Sequence, residues 1–257
     1  MKINLCFLKS RAFYKYLLAA FLTGLIVSMI LTHRDWRTAK RDSAGIAPLP
    51  SEASEAIVQV YVARTINWRG YLSVHSWIAT KEKNADYYVT YQVMGWNLYF
   101  SGNAVVVKQD IPDRYWYGSK PELIEEIRGK KAEQAIPKII EYVNDYPYKT
   151  YYNVWPGPNS NSFIANIIRN TPELTVELPP NAIGKDWINN GDFFGLSESG
   201  SGYQLSLWGI LVLTVGKAEG LEINLLGLTF GIDFYRPAIK LPFIGRIGIK
   251  DSPLDKE

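Results

Sequence analysis

The chain holds one cysteine and two histidines, and these shortages close off several chemistries at once. Cys6 precedes the main apolar run, so the globular part has no disulfide, no thiol nucleophile and no cysteine-based metal site. A lipid-attached cysteine would follow that run, and Cys6 does not. With His33 at the edge of the run, His75 is the body's single histidine, and a zinc site would need mostly carboxylates; no metal is expected. The glycine-rich C-terminal stretch lacks the Lys-Ser/Thr ending and following helix of a phosphate loop, so no nucleotide or other cofactor is expected. Net charge is only +3, and Arg128, Lys130 and Lys131, interrupted by Gly129, are too few for a nucleic-acid patch. They read as a solvated break between two helices.

What is present is apolar and aromatic. The 257 residues are 47% hydrophobic and 21% charged, enough for one main globular domain. From Tyr16 to Thr32 the sequence carries no charge and approaches the ~20 residues that cross a bilayer. No small-x-small cleavage pattern adjoins Met29-Ile30-Leu31, which favours an uncleaved membrane anchor, with the lipid bilayer as partner, over a signal peptide. Lys2, Lys9, Arg11 and Lys15 precede this run and Arg34, Arg37, Lys40 and Arg41 follow it, so the positive-inside bias is nearly balanced. The 8 tryptophans and 17 tyrosines fit a β-rich domain with half-buried aromatic faces and a body near a membrane interface, and packing accounts for them as well.

Residues 1–41 are assigned to the N-terminus and anchor, 42–55 to a linker with Gly45, Pro48 and Pro50, and 56–257 to the domain. Strands are predicted at Ile57–Ala63 and Leu72–Ala79, joined by a turn at Asn67–Gly70, then at Tyr87–Val93 and Ala104–Lys108. Helical spacing follows at Lys120–Arg128 and Ala132–Asn144, where Pro137 predicts a break or late start. A short helix at Asn161–Asn170 stops at Thr171-Pro172. Leu205–Val215, Leu221–Leu228 and Thr229–Tyr235 read as C-terminal hairpins. The first of these is about half a bilayer span, which predicts a buried strand rather than a second membrane segment. The fold class expected is α+β: an N-terminal transmembrane helix, then an antiparallel sheet with a few short helices.

Trp155-Pro156-Gly157-Pro158-Asn159-Ser160-Asn161-Ser162-Phe163 is the candidate site, a rigid turn opening onto a helix start. A hydroxyl at Ser160 would feel the helix dipole beside free N–H groups, and Asn159, Ser160, Asn161 and Ser162 can all cap the helix. Serine needs a base to become a nucleophile, and His75, sharing a strand face with Ser73 and Trp77, is the base available. Asp86 or Gln92 could orient it, and Asp186 follows a turn that could fold over the elbow. Against this stand a structural histidine and a plain helix cap.

The segments His75–Ala79, Tyr151–Phe163, Pro179–Asp186 and Gly220–Gly227 resemble the bacterial domain-of-unknown-function family 3750, over about residues 56–250. Asn159–Phe163 also resembles, distantly, the helix-start motif of circularly permuted papain-like enzymes of the lecithin-retinol-acyltransferase type, with serine in place of cysteine and a histidine earlier in the chain. That likeness implies a permuted papain-like core in which Ser160 and His75 hydrolyse or transfer an amide or ester of an envelope lipid or peptide, supported by Asn159, Asn161 and Asp186. The location expected is the bacterial inner membrane, single-pass, with the domain outside the cytoplasm. The alternative is a non-catalytic binding or assembly protein.

Overall fold

A computed structural model describes residues 11–31, 33–188, 191–252 and 254. In chain order its elements are α1 (Arg11–Leu31), β1 (Ile57–Arg64), α2 (Arg69–Leu72), β2 (Val74–Lys81), β3 (Val89–Val93), α3 (Asn97–Ser101), β4 (Val105–Gln109), β5 (Glu122–Arg128), α4 (Lys130–Asp145) and α5 (Ser160–Asn170). The strands β6 (Phe194–Leu196), β7 (Gly202–Leu207), β8 (Leu211–Gly216), β9 (Gly220–Leu225), β10 (Leu228–Asp233), β11 (Ala238–Leu241) and β12 (Gly245–Gly248) complete it. Two antiparallel sheets result, ordered β4-β3-β2-β1-β5 and β12 through β6 in sequence.

β1 is buried along both faces because each half of its alternating pattern meets a different cover. Val58, Val60 and Val62 join Val74 and Ile78 of β2 in the main core, closed by α4 and α5. Ile57, Tyr61 and Ala63 join Trp77 and Ala79 in a second cluster on the opposite face. Residues 42–55 lie against that second side: the Asp113 carboxylate accepts from Ser43 Oγ (2.8 Å) and Ile46 N (2.6 Å), and Tyr88 donates to Pro48 O (3.1 Å).

Several expectations are corrected. The architecture is mostly two antiparallel sheets with few helices rather than an α+β domain behind a membrane span. Among the described residues no helix is long and apolar enough to cross a membrane. The uncharged part of α1, from Tyr16 to Leu31, extends ~24 Å at 1.5 Å per residue, short of the ~30 Å hydrocarbon core, and Arg11 and Lys15 charge its first turns. This weighs against the single-pass inner-membrane location. Thr32, the end of the expected span, and Cys6 lie outside the described residues.

Within Lys120–Arg128, where a helix is expected, Glu122–Arg128 is strand, because pairing with the free side of β1 overrides local spacing. The basic cluster is therefore a strand-to-helix junction. Helix α4 runs through Pro137 without a break. Ala132, Ala135, Ile136, Ile139 and Val143 seat it on the core, which outweighs the one backbone bond that proline gives up. Leu205–Val215 is a hairpin rather than one buried strand, turning at Trp208 (φ 52°) and Gly209 (φ 70°).

The second sheet turns its polar face inward. Gln204, Thr214, Glu222, Asn224 and Lys240 are buried against the body, while Leu205, Leu213, Ile223, Phe230 and Ile239 point outward. Lys185 Nζ donates to Glu222 Oε2 (2.8 Å) and Lys240 Nζ to Glu222 Oε1 (2.9 Å); Lys240 also pairs with Glu177. Burial pushes the Glu222 carboxyl up, but Lys185 and Lys240 outweigh it and hold the group at about 2. Glu198 accepts from Leu178 N (3.0 Å), and burial lifts it to about 8 against the smaller opposing pull of Lys185 at 3.9 Å and of Arg169. A carboxyl raised this way keeps its proton when the unfolded chain has lost it, so its contribution is full below about pH 4.5 and is lost as pH rises to about 8. Glu198→Gln should flatten that decline: the variant gains stability relative to the parent between pH 5 and 8 in urea unfolding, and parallel curves would refute the protonated assignment.

Candidate functional site

The elbow is built from two cis peptide bonds, Trp155-Pro156 and Gly157-Pro158, followed by Asn159 in extended backbone. Asn159 is the helix cap. Its Oδ1 accepts from Asn161 N (2.9 Å) and Ser162 N (3.0 Å), and Ser162 Oγ accepts from Asn159 N (2.7 Å), closing a capping box. Its Nδ2 donates to Val154 O (2.9 Å) and Ile183 O (3.1 Å), so the same amide ties the loops before and after α5. That approach is open only because Gly184, at φ 93°, has no Cβ; one there would collide with the Asn159 amide.

Asn161 is a splint. Its Oδ1 accepts from Ser76 Oγ (3.0 Å), and its Nδ2 donates to Val74 O (3.0 Å) and Ile183 O (2.9 Å). Ser160 is the first helical residue, not the cap; it is buried, and its side chain bonds the Tyr152 hydroxyl. Burial raises Tyr152, and the bond to Ser160 lowers it less, so the phenol stays a neutral partner.

The structure does not bring His75 to Ser160. Side chains alternate along β2: Ser76 reaches α5 through Ser160 O (3.4 Å) and Asn161, while His75 points to the opposite face. There its ring stacks on Trp116 (centroids 3.7 Å, 11°), and its Nε2 faces Gln92 Oε1 at 3.1 Å. The sheet itself separates base from hydroxyl. Burial holds the imidazole down at about 4, with Gln92 pulling the other way. The turn that carries Asp186 packs on the elbow through Ile183, Gly184 and Trp187, but the Asp186 carboxylate points away from it. Asp186 lies under the second sheet, accepting from Asn224 Nδ2 and Thr229 Oγ1 (3.5 Å), with its carboxyl raised chiefly by burial.

Residue type and spacing alone do not single out Ser76, Tyr152 and Trp116 as partners. Only the strand alternation hinted at Ser76, one position from His75 and on the other face. Among the described residues no cluster of His, Cys, Asp and Glu could hold a metal ion.

Residues 55–187 match the family described as Protein of unknown function (DUF3750), a little over half of the chain. The chain belongs to the DUF3750 family. The DUF3750 match covers the first sheet, α4, α5 and the elbow and ends at Trp187, so the second sheet, with Gly220–Gly227, lies beyond it. No curated protein matches the chain. No solved structure matches it either, and the papain-like likeness is not confirmed.

Two outcomes follow from this geometry. Asn159→Ala removes the cap and leaves the Val154 carbonyl unpaired, while Ile183 O keeps its bond from Asn161, and should lower unfolding free energy by about 1.5–3 kcal/mol, read by denaturant titration; a loss below about 0.5 kcal/mol would contradict the capping and tying role of Asn159. The His75 ring signals, identified by their disappearance in His75→Gln, should titrate near pH 4 by NMR. Because its folded value lies below the unfolded one, His75 lends stability above about pH 6.5 that fades toward pH 4.

Proposed function

We propose that this chain is a non-catalytic binding and assembly module that works through the outer face of its second sheet. The supporting observation is the inversion of that sheet. Along β7 to β10 the outward positions are Tyr203, Leu205, Leu207, Leu211, Leu213, Val215, Leu221, Ile223, Leu225, Phe230 and Ile232, all exposed and none charged. At roughly 60–100 Å² apiece they form a patch on the order of 1,000 Å², beyond the few hundred Å² usual for a monomer's free surface. A partner for it offers apolar, uncharged surface.

Acyl chemistry at Ser160 has less support. The hydroxyl is buried and bonded to Tyr152, and the body's one histidine sits across the sheet. The elbow positions the second sheet instead, since Trp187, two residues past Lys185, folds back against Gly157 and Asn166.

Leu213 and Ile223 are directly paired at the centre of the outer face. Leu213→Asp with Ile223→Asp should abolish binding of an apolar surface dye while moving the melting temperature by less than about 3 °C, as expected of exposed positions. Cooperative unfolding lost in the double variant would make the face part of a core and end this reading.

A further inference from the structure

One end of the molecule continues the apolar face. The β1–β2 and β3–β4 connections, which hold α2 and α3, leave the first sheet at the same end, because antiparallel pairing brings alternate turns together. The hairpin tips at Trp208-Gly209, Leu226-Gly227 and Phe243-Ile244 likewise share one end of the second sheet. Contacts join the two sets. Arg64 Nη1 donates to Gly70 O (3.2 Å) and Phe243 O (2.8 Å), linking α2 to the β11–β12 tip. A Cβ on Gly227 would come within 2.9 Å of Trp155 Nε1, one on Gly209 within 3.6 Å of Pro156, and one on Gly95 would press into the Tyr152 ring. Loop 151–156 thus binds α3 and two hairpin tips into one surface.

That surface is aromatic and wet. Tyr99 is 90% and Phe100 83% exposed, and Trp68, Val154, Trp208 and Ile244 are exposed beside them. The far end of the first sheet is charged instead, with exposed Glu55, Glu82, Lys83, Arg128 and Lys130. Cations rim the aromatic end. Arg34 N donates to Asn67 Oδ1 (2.6 Å) in the connection that also holds Arg69 over Trp68, and Lys40 and Arg41 lie over the Tyr115 and Tyr117 rings of the loop that meets Arg34 at Gly118, among the acids Asp35 and Asp42. The same bond joins the body to α1, whose Leu17, Leu18 and Phe21 are exposed.

We propose that this end and the adjoining outer face of the second sheet seat on a lipid surface bearing anionic headgroups. This rests on the binding reading above and names its partner. Apolar side chains flanked by tryptophan and tyrosine suit the boundary between acyl chains and headgroups, and the cationic rim suits phosphate. A flat protein partner would need neither projecting tips nor a one-sided collar of cations.

The test uses the full chain with vesicles of phosphatidylcholine alone or mixed with phosphatidylglycerol, with acyl chains brominated to quench tryptophan. Because α1 contains no tryptophan but exposed Trp36 follows it closely, the vesicle test is made in the Trp36→Phe chain, where quenching reports on the body. Quenching is expected, stronger with phosphatidylglycerol and weakened by salt. Tyr99→Ser with Phe100→Ser should reduce partition into vesicles roughly tenfold without changing the melting temperature. Flotation without quenching, or unaltered by these variants, would place the lipid contact elsewhere and overturn the inference. Absence of vesicle binding together with dimers that Leu213→Asp dissociates would overturn the lipid partner but leave the binding reading standing. Absence of both would remove both.

Discussion

Glu222 lies between Lys185 and Lys240, and that buried arrangement decides which way the second sheet faces. Lys185 comes from the turn after α5, Glu222 from the middle of β9 and Lys240 from β11, so one carboxylate fastens three separated parts of the chain. Neither lysine reaches solvent, and Lys240 also holds Glu177 and the Glu219 carbonyl (2.8 Å). Burying such charges is unfavourable unless each finds partners, and removing one would strand the others. The inward face of the sheet is thereby committed to charge, and its outward face is left to Leu, Ile, Val and Phe by the two-residue period of a strand.

The elbow serves this arrangement. Asn159 and Asn161 both bond Ile183 O, and Asn166 Nδ2 donates to Trp187 O (3.0 Å), so the start and middle of α5 hold the 183–187 turn from both sides. That turn carries Lys185 and Asp186 to the sheet. Polar groups that look like catalytic equipment in a linear reading are consumed in aligning two layers. A buried, fully bonded network of this kind specifies geometry more than it adds stability.

The first sheet was legible because β1 to β4 are short, β-branched and punctuated by turns, and β-pairing then needed only local register. Strand β5 was not, since Leu123, Ile124 and Ile127 fit a helical spacing until β1 offers its free side. The helix start at Asn159–Ser162 was visible from residue type, but which residue caps it depended on Gly184, 25 positions later, leaving room for the Asn159 amide. His75, the body's single histidine, and Ser160, a hydroxyl at a helix start, stand out in the sequence as suggestive groups. Their separation became visible only when Ser76, the neighbour of His75, proved to be the residue facing α5. The inversion of the second sheet was hidden for a related reason: apolar alternation marks one face of a strand without saying which face meets the body.

A one-residue shift of the second sheet would exchange its faces, burying Leu213 and Ile223 and exposing Glu222 and Lys240, which is the ordinary arrangement in water. The chain instead buries lysines and glutamates and exposes an apolar face that no described part of the chain covers. Such a choice is unfavourable on both sides of the sheet if both meet only protein and water. It becomes favourable if the outer side meets something apolar, because the transfer of each leucine or isoleucine then contributes where water would withhold it. The charged interior and the apolar exterior are therefore one feature: the ion network fixes the orientation, and the outer face draws its favourable free energy from whatever seats on it.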